Sequence, residues 1–301
     1  MMWIVIVLLL LLGLYLFLIF PSPRKHKDRE LLSGLYIAHR GLHDAENDIP
    51  ENSILAFQKA VEMGFAIEND IHLTKDGEVV VFHDDDLHRM CGVSGRPEDM
   101  TLAELKELRL GNTEEKIPTL RECLDIVDGK VPLLIEFKIK NGSAEPLCEA
   151  AEKVLCDYKG KYFVQSFYPF VLSWYKKNRK DILRGQLAAA FKDDKPHMRM
   201  LGMLLFNFFA RPDFVSYENE TKESFGRKMC TLLGALPVGW TFKKQCDIDA
   251  SKKDFKRCAL YLILASFLSF LIFSNSIICY IKYVMCKFTR FILLLYVLEN
   301  K

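Results

Sequence analysis

Two carboxylates and a histidine are brought together by residues 65–83, which read FAIENDIHLTKDGEVVVFH. The first half of this segment alternates as a β-strand does, so Glu68 and Asp70 share one face, with their backbones roughly 6–7 Å apart. Asp76-Gly77 is a strong signal for a two-residue turn, and such a turn joins only antiparallel neighbours. The segment is therefore predicted to form a β-hairpin, in which a two-residue loop sets Asp70 opposite His83.

The polar face of this predicted hairpin suits a divalent cation. Two unpaired carboxylates about 5 Å apart repel each other by about 3 kcal/mol at an effective dielectric constant near 20. A bound cation with oxygen ligands removes that repulsion. The alternative for this segment alone is an exposed hairpin whose polar face is solvated.

The segment before the hairpin predicts one βα unit. A short apolar strand ends in His39-Arg40-Gly41. A helix follows, for which Asn52 or Ser53 is the expected N-cap. This unit leads directly into the first strand of the hairpin.

A later strand carries an acid and a base on one face. Residues 131–138 read VPLLIEFK, and their alternation places Glu136 and Lys138 on the face opposite the apolar residues Leu133 and Ile135. In a β/α barrel, the outer face of a strand packs against helices, which suits the apolar residues, and the inner face can line a site, which suits the acid and the base. The pattern therefore favours a β/α barrel with a polar site inside it.

Taken together, these segments resemble the glycerophosphodiester phosphodiesterase family, in its bacterial type. The resemblance extends from about residue 35 to about residue 249. The motifs that carry it, in the order and spacing of the family, are His39-Arg40-Gly41, Pro50-Glu51-Asn52, Glu68-x-Asp70, Asp76-Gly77, His83-Asp84, Ile117-Pro118-Thr119-Leu120, Glu136-x-Lys138, Gln165-Ser166-Phe167, Gly185-Gln186-Leu187 and Gly239-Trp240-Thr241. The resemblance implies an α/β fold, a TIM-like (β/α)8 barrel, that hydrolyses phosphodiesters of glycerol with a divalent metal, commonly Ca²⁺ or Mg²⁺.

The resemblance also implies roles for individual side chains. The implied metal ligands, all oxygen donors suited to a hard cation, are Glu68, Asp70 and Glu136. The implied general acid and general base, in an order that the sequence leaves open, are His39 and His83. The implied substrate-binding residues are Arg40, Glu51, Lys138, Gln165 and Trp240.

For Glu51 and Trp240 the sequence is compatible with a second role. Glu51 matches a site position that belongs either to the metal shell or to a substrate hydroxyl. Trp240 matches an aromatic residue at the pocket wall, and core packing explains it nearly as well.

Formal charge gives a separate reason to expect the metal. The three carboxylates with Arg40 and Lys138 carry a net charge of about −1, which repels a phosphodiester monoanion, whereas a divalent ion brings the site to about +1. The ion would also act as a Lewis acid and orient in-line attack. The nucleophile is either water or the glycerol hydroxyl next to the phosphate, which would form a cyclic phosphate first.

Seven barrel strands can be read from short apolar segments, and they are residues 34–40, 65–73, 131–138, 162–166, 185–190, 213–217 and 237–242. Residues 84–130 are a small insertion with a helix that starts at Thr101, and the resemblance places this insertion over the barrel mouth. Residues 200–210 form an apolar run that is too short to span a bilayer, so a buried helix is expected there.

The N-terminal segment, residues 1–23, is predicted to be a transmembrane anchor. It carries no charge, and the apolar run from Trp3 to Phe20 is about long enough to span a bilayer when slightly tilted. No basic segment precedes the run and no small-residue cleavage site follows it. These features favour an uncleaved anchor over a signal peptide.

Two features predict that the barrel lies in the cytoplasm. Four basic residues follow the apolar run directly, namely Arg24, Lys25, Lys27 and Arg29. The nine cysteines are scattered and contain no C-x-x-C motif, which indicates free thiols in a reducing compartment.

The C-terminal segment, residues 257–301, departs from the family pattern. Residues 258–281 contain no charge and are long enough for a second membrane span, and residues 291–298 are apolar again. Alternatively, residues 260–264 form the eighth barrel strand. The abrupt change of composition near Lys256 is also what a shift of reading frame produces.

The overall composition fits one barrel domain, residues 30–256, with hydrophobic segments at both ends. The net charge of +2 gives no reason to expect nucleic-acid binding. The expected substrate is a soluble glycerophosphodiester, or a lysophospholipid that a tethered enzyme meets at the bilayer. The rival from another class is a membrane-tethered binding or structural protein that keeps the fold but has impaired catalysis.

Overall fold

The computed structural model describes residues 2–24, 26–139, 142–191, 194–242 and 260–262. Within these residues the strands, β1 to β9, are Tyr36–Ala38, Ala66–Leu73, Val79–Val81, Leu133–Phe137, Tyr162–Ser166, Arg184–Ala188, Phe214–Glu218, Leu236–Phe242 and Leu260–Leu262. The α-helices, α1 to α11, are Met2–Ile19, Arg29–Leu32, Ile54–Met63, His88–Cys91, Leu102–Lys106, Leu120–Val127, Glu145–Leu155, Pro169–Asn178, Pro196–Gly202, Asn207–Ala210 and Phe225–Leu232. Short 3-10 helices cover Ala45–Asn47 and Pro97–Asp99.

Eight parallel strands close into a barrel. Strands β4 to β9 pair in chain order, β2 pairs with β4, and β1 pairs with both β2 and β9. Strand β3 instead pairs antiparallel with β2, beside the ring. The predicted TIM-like barrel is confirmed, and of the alternatives for the C-terminal run, the eighth strand at residues 260–264 is the one present, over Leu260–Leu262. The rest of the apolar C-terminal run lies outside the described residues.

Apolar side chains fill the barrel at the amino-terminal ends of its strands, which we call the floor. Leu32 of α2 packs there with Leu134, Phe163 and Phe214. Gly185 is required at this level, because a Cβ at that position would lie 1.9 Å from the ring of Phe214. The polar side chains gather at the opposite, carboxyl-terminal ends, the mouth, where barrels of this type hold their sites.

The predicted hairpin is confirmed, but its predicted register is wrong by one residue. Ile71 of β2 pairs with Val81 of β3. Continuing that register sets Phe82 opposite Asp70, and the Phe82 backbone N–H donates to the Asp70 carbonyl oxygen at 2.9 Å. His83 therefore lies one residue beyond the position opposite Asp70 that the sequence predicted for it.

The register differs because the hairpin loop has three residues. The Gly77 backbone N–H donates to the Thr74 carbonyl oxygen at 3.1 Å, and Gly77 has a φ of 86°. The Thr74 N–H then donates to the Glu78 carbonyl oxygen at 2.9 Å. A type I turn followed by a left-handed bulge glycine is a common hairpin loop, and the Asp-Gly pair occurs in both kinds of loop.

The insertion after β3 has its own small apolar core. As predicted, a helix begins at Thr101, where the hydroxyl caps α5 and Glu104 completes a capping box. Leu105 of this helix is buried with Phe82 and Leu110. Further along the chain, α6 packs against α3 on the outside of the barrel.

The predicted buried helix over residues 200–210 is wrong. The segment forms the end of α9 and the whole of α10, which are separated by a turn in which Leu204 has a φ of 62°. Leu201 and Leu204 are buried, whereas Met200 and Met203 are 41% and 49% exposed. An apolar run predicts burial of all its residues, but this turn leaves part of the run on the surface.

Helix α1 is one uninterrupted apolar helix. Among the residues that the structure describes, it is the helix long and apolar enough to cross a membrane, a property that signal sequences share. Residues 2–14 are exposed, and burial against the barrel begins at Tyr15.

A buried ion-pair network ties the chain after α1 to the start of β7. Asp213 is fully buried and accepts hydrogen bonds from Arg24 at 2.9 and 2.7 Å. A guanidinium nitrogen of Arg184 lies 3.4 Å from the same carboxylate. Burial opposes ionisation of Asp213, but Arg24 and Arg184 outweigh it and lower the pKa of this carboxyl.

Replacing Asp213 by alanine should lower the free energy of unfolding by about 3–5 kcal/mol, because two guanidinium groups lose their counter-ion and one of them is buried. The matched control is Asp181→Ala, whose side chain is 61% exposed and pairs with Arg179. That surface pair should contribute less than about 1 kcal/mol. Thermal unfolding of the full chain in detergent, followed by circular dichroism, measures both; equal Tm values for the two variants would contradict the prediction.

Candidate active site

The turn after β1 aims two polar groups at the barrel interior. Arg40 and Gly41 both have left-handed backbone angles, with φ of 58° and 78°. Gly41 is needed because a Cβ there would lie 2.9 Å from the Cβ of Ala56 on α3. The turn directs the Arg40 backbone N–H to Glu68 Oε2 at 3.1 Å and places His39 Nε2 4.0 Å from the same oxygen.

Three carboxylates meet at the mouth of the barrel. Glu68 and Asp70 lie on β2, and Glu136 is the register partner of Asp70 on the neighbouring strand β4. All three are buried, and one oxygen of each lies within 4.8 Å of the others. Strand alternation, which is readable in the sequence, thus brings the implied metal ligands together.

Burial and mutual repulsion control the charge of this cluster. Burial, assisted by Asp70 and Glu136, raises the pKa of Glu68 well above its ordinary value, and burial raises the pKa of Glu136 to about 7. Burial also opposes ionisation of Asp70, but nearby cations led by Lys138 outweigh it and lower the pKa of Asp70. Three carboxylates in one buried site cannot all ionise without further positive charge.

Asp70 is held by three neighbours. Lys138 Nζ lies 2.9 Å from its Oδ1, Asn52 Nδ2 donates to its Oδ2 at 2.9 Å, and Arg40 Nε lies 3.8 Å from Oδ2. Lys138 Nζ is also 2.5 Å from Glu136 Oε1. Although burial opposes it, the charges of Asp70 and Glu136 raise the pKa of Lys138. Lys138 is therefore a fixed positive charge between two of the acids.

A chain of ion pairs connects Arg40 with His83. Arg40 Nη1 donates to Glu51 Oε1 at 2.8 Å, and Arg89 donates to both Glu51 and Asp84. Asp84 Oδ1 lies 2.6 Å from His83 Nδ1. Against the effect of burial, hydrogen bonds from the guanidinium groups lower the pKa of Glu51, and those from Arg89 and His83 lower the pKa of Asp84 to about 2. Both carboxylates are therefore ionised and orient their neighbours.

The two histidines have different surroundings. The His39 side chain is 13% exposed, and burial together with Arg40 lowers its pKa well below the ordinary value. The His83 side chain is 29% exposed, and burial lowers its pKa as well. The charge of Asp70 and the hydrogen bond with Asp84 at Nδ1 oppose that shift without reversing it, and the Asp84 contact also fixes the ring.

A cavity of about 400 Å³ opens beside the carboxylates, and its lining includes His83, Glu136, Lys138 and Phe167. Trp240 meets Phe167 edge to face, with 6.0 Å between ring centroids, and also packs against the floor of the barrel. Trp240 therefore contacts one residue that lines the cavity and the apolar floor, and its contact with substrate stays a prediction.

Gln165 lies on β5, next to the carboxylates. It is the register partner of Glu136, is buried, and accepts a hydrogen bond of 2.8 Å from Ser216. The following residue, Ser166, donates its hydroxyl to the Phe137 carbonyl oxygen at 2.7 Å. Gln165 is thus placed beside the site, whereas Ser166 stabilises the backbone around it.

The sequence assigns no catalytic, metal-binding or substrate-binding role to three polar residues near the site: Asn52, Asp84 and Arg89. The sequence suggests Asn52 as one of two alternative helix caps, but the Ser53 side chain caps α3. Asn52 has a φ of 55°, a left-handed conformation in which asparagine is favoured, and it donates to Asp70 instead. The Arg89 contact with Glu51 joins residues 38 positions apart, and no local pattern predicts it.

The donor set fits a hard divalent cation. Carboxylate oxygens are the ligands that Ca²⁺ and Mg²⁺ prefer, and the cluster offers three of them at close range. Glu68 Oε1 is buried and has no hydrogen-bond partner among the residues that the structure describes. A cation would give this oxygen a partner and would remove the repulsion between Glu68 and the other two acids.

Comparisons with known proteins agree in sequence and in fold. The model of the glycerophosphoryl diester phosphodiesterase family matches residues 39–193. A glycerophosphodiester phosphodiesterase of Caldanaerobacter subterraneus subsp. tengcongensis is 36% identical over 231 residues, which are 72% of this chain and 89% of that protein. Glycerophosphodiester phosphodiesterase 1 of Homo sapiens is 32% identical over 170 residues, which are 52% of this chain and 49% of that protein.

Solved structures share the fold. A phosphodiesterase of Oleispira antarctica, solved in complex with the product sn-glycerol-3-phosphate, has a TM-score of 0.65 at 23% identity, covering 78% of this chain and 95% of that one. A glycerophosphodiester phosphodiesterase of Thermotoga maritima has a TM-score of 0.60 at 24% identity, covering 78% of this chain and 98% of that one. At these identities the likeness shows the fold alone.

Proposed function

Because the chain belongs to the glycerophosphodiester phosphodiesterase family, and is therefore a phosphoric diester hydrolase, we propose that it hydrolyses glycerophosphodiesters with a bound divalent metal. The products would be an alcohol and glycerol phosphate. The observation that carries the proposal is the buried carboxylate cluster with Arg40 and Lys138 beside it. Burying so many charges is costly, so an idle pocket has no physical reason to keep them.

Glu68, Asp70 and Glu136 would hold the metal, which is Ca²⁺ or Mg²⁺. When bound, such an ion stabilises the negative charge that develops on a transferring phosphoryl group. With the ion bound and all three carboxylates ionised, the site including Arg40 and Lys138 would carry about +1 and so permit a phosphodiester monoanion to bind.

Two cations of the chain would bind the phosphate itself. The Arg40 guanidinium can contact two oxygens at once, whereas the Lys138 ammonium acts as a point charge. The 2.8 Å hydrogen bond to Glu51 orients Arg40. Gln165 precedes the cavity residue Ser166 and Trp240 packs on the cavity residue Phe167, and both would contact the remainder of the substrate.

His39 and His83 would move the protons. His39 lies against Glu68 and would accept the proton of the nucleophile, which is water or the adjacent glycerol hydroxyl. His83 would donate a proton to the leaving alkoxide, because its pKa is lowered less than that of His39 and the Asp84 carboxylate at Nδ1 stabilises its imidazolium form.

A substrate panel tests this function. The full chain in detergent is given glycerophosphocholine, glycerophosphoethanolamine or lysophosphatidylcholine, with Ca²⁺, Mg²⁺ or a chelator. We expect release of glycerol phosphate, or of its acylated form, with metal and none with chelator. Phosphorus NMR during turnover identifies a cyclic phosphate if the glycerol hydroxyl attacks first. A folded protein that turns over no member of the panel would favour the binding protein with impaired catalysis.

The proposal includes insertion of α1 into a membrane, and deleting residues 2–14 should therefore abolish carbonate-resistant membrane association. This deletion is cleaner than removal of residues 1–23, because Asn207 Nδ2 donates to the Ile19 carbonyl oxygen and Ile19 is buried on the barrel. Fractionation of cells with alkaline carbonate measures the effect. Retention of the shortened chain in the membrane would show that a different segment inserts, with residues 258–298 as the first candidate.

A cytoplasmic barrel remains our prediction. Cys91, Cys123, Cys148, Cys156 and Cys230, the cysteines that the structure describes, are free thiols. Of the basic residues that follow the apolar run, Arg24 and Arg29 bind groups at the floor of the barrel. Digestion of the barrel by protease added outside intact cells would overturn this assignment.

A further inference from the structure

We propose that the mouth of the barrel faces the membrane, so that exposed apolar side chains on its rim rest in the lipid interface. The rim is defined by Phe170, Met200, Met203 and Phe225. The inference rests on the proposed insertion of α1 and does not depend on hydrolysis.

The packing of α1 fixes its direction relative to the barrel. The Tyr15 ring stacks on Phe225, the first residue of α11, with centroids 6.0 Å apart. One turn later, the Ile19 carbonyl oxygen accepts hydrogen bonds from Cys230 of α11 and Asn207 of α10. Helix α11 follows the carboxyl end of β7 and therefore begins at the mouth. Helix α1 runs beside it in the same direction, from the mouth toward the floor.

The chain after α1 confirms this direction. The Ser22 backbone N–H donates to the Pro212 carbonyl oxygen, and Arg24 binds Asp213, just before β7 begins. Arg29 donates to the Gly234 carbonyl oxygen, just before β8. These contacts lie on the floor, so the free part of α1, residues 2–14, must project beyond the mouth.

The length of α1 leaves no spacer between the membrane and the barrel. The thirteen projecting residues are all exposed and reach about 20 Å at 1.5 Å per residue. The hydrocarbon core of a bilayer is about 30 Å thick. Insertion of the free part therefore draws the rim against the bilayer, because no polar linker separates this part from the docked turn at Tyr15.

The rim has the chemistry of a membrane interface. Phe170 lies at the start of α8, directly after β5, and Phe225 begins α11 after β7, which places both at the mouth. Met203 lines a pocket together with Tyr15 and Phe225, and Met200 lies three residues before it on α9. Their exposed fractions are 49%, 41%, 49% and 66%. Lys195 and Arg199, on the segment that carries Met200, are exposed and suit anionic headgroups.

In this orientation the active site at the barrel mouth faces the headgroup region of the bilayer. The rim continues the apolar surface of α1 through the Tyr15 contact with Phe225. We therefore assign the phospholipid bilayer, rather than a protein, as the partner of this surface.

Lipid cross-linking tests the orientation with matched pairs of positions. Phe225 and Leu232 are the two ends of α11 and are 66% and 79% exposed. Phe170 at the mouth and Tyr36 at the floor are aromatic and 49% and 41% exposed. Each is replaced in turn by p-benzoylphenylalanine in the full chain, which is reconstituted in vesicles of phosphatidylcholine and phosphatidylglycerol in equal parts and irradiated.

We expect lipid adducts, detected by mass spectrometry, at Phe225 and Phe170, with at least a tenfold lower yield at Leu232 and Tyr36. Equal yields, or higher yields at the floor positions, in protein that floats with the vesicles would overturn the inference. Failure of the full chain to float would overturn it together with the insertion of α1. Turnover is not needed for any of these readings, so loss of the proposed catalysis remains a separate result.

Discussion

Replacing Glu68 by glutamine should lower kcat/KM by at least about 10³-fold. A metal ion contributes several kcal/mol to phosphoryl-transfer transition states, and each 1.36 kcal/mol is about tenfold in rate. Lys138 lies 2.9 Å from Asp70 and 2.5 Å from Glu136, whereas Glu68 Oε1 has no hydrogen-bond partner among the described residues. The substitution nearly preserves volume, so the loss should be one of charge and metal affinity rather than of fold.

Two measurements separate this interpretation from a general disturbance. Titration calorimetry with Ca²⁺ and with Mg²⁺ should show a binding heat for the unaltered chain and none for Glu68→Gln at the same concentrations. The matched control is Glu62→Gln, an exposed carboxylate on α3, which should keep both metal binding and activity. Full turnover of the unaltered chain in excess chelator would contradict the metal-dependent mechanism and place the phosphate chemistry on the histidines and Arg40 alone.

The barrel and its acidic cluster could be predicted because each rests on a local rule. Alternation along β2 puts Glu68 and Asp70 on one face whatever their neighbours are. Parallel pairing of β2 with β4 then brings Glu136 to the same level. The resemblance to a known family supplied the roles of these side chains, which alternation alone does not give.

The two wrong predictions, the hairpin register and the helix over residues 200–210, concern segments whose local sequence is compatible with more than one conformation. Asp76-Gly77 is compatible with two hairpin loops, and the hydrogen bond from Gly77 to Thr74 selects the longer one. The apolar run at residues 200–210 indicates burial, but the left-handed backbone of Leu204 divides it. In both cases one backbone conformation decides the outcome.

Contacts between distant segments could not be predicted at all. The sequence indicates that α1 is apolar and that Arg24 follows it, and positive-inside logic then expects Arg24 at a membrane surface. The structure places Arg24 on Asp213, 189 residues away, at the floor of the barrel. The same holds for Arg89, which reaches Glu51 from the insertion. A charge count along the chain therefore overestimates the number of cations that are free to meet lipid.

Replacing either His39 or His83 by alanine should lower kcat/KM on glycerophosphocholine by about 10²–10⁴-fold, since each would transfer one proton in the transition state. The control is His88→Ala, an exposed residue of α4 in the insertion, which should keep full activity. Titration calorimetry should show that both active-site variants still bind the metal, because neither histidine is among the three proposed ligands.

The identity of the leaving group then distinguishes the two histidines. In a glycerophosphodiester of p-nitrophenol, the leaving group departs as the stabilised p-nitrophenolate and needs no proton. A variant that lacks only the general acid should therefore recover most of its activity on this substrate. We expect this recovery for His83→Ala, because the pKa of His83 is lowered less than that of His39 and the Asp84 carboxylate lies 2.6 Å from its Nδ1. His39→Ala should remain impaired on both substrates, since the nucleophile still has to lose its proton. The reverse pattern would exchange the two roles, and recovery of neither variant would remove His83 from the proton-donor position.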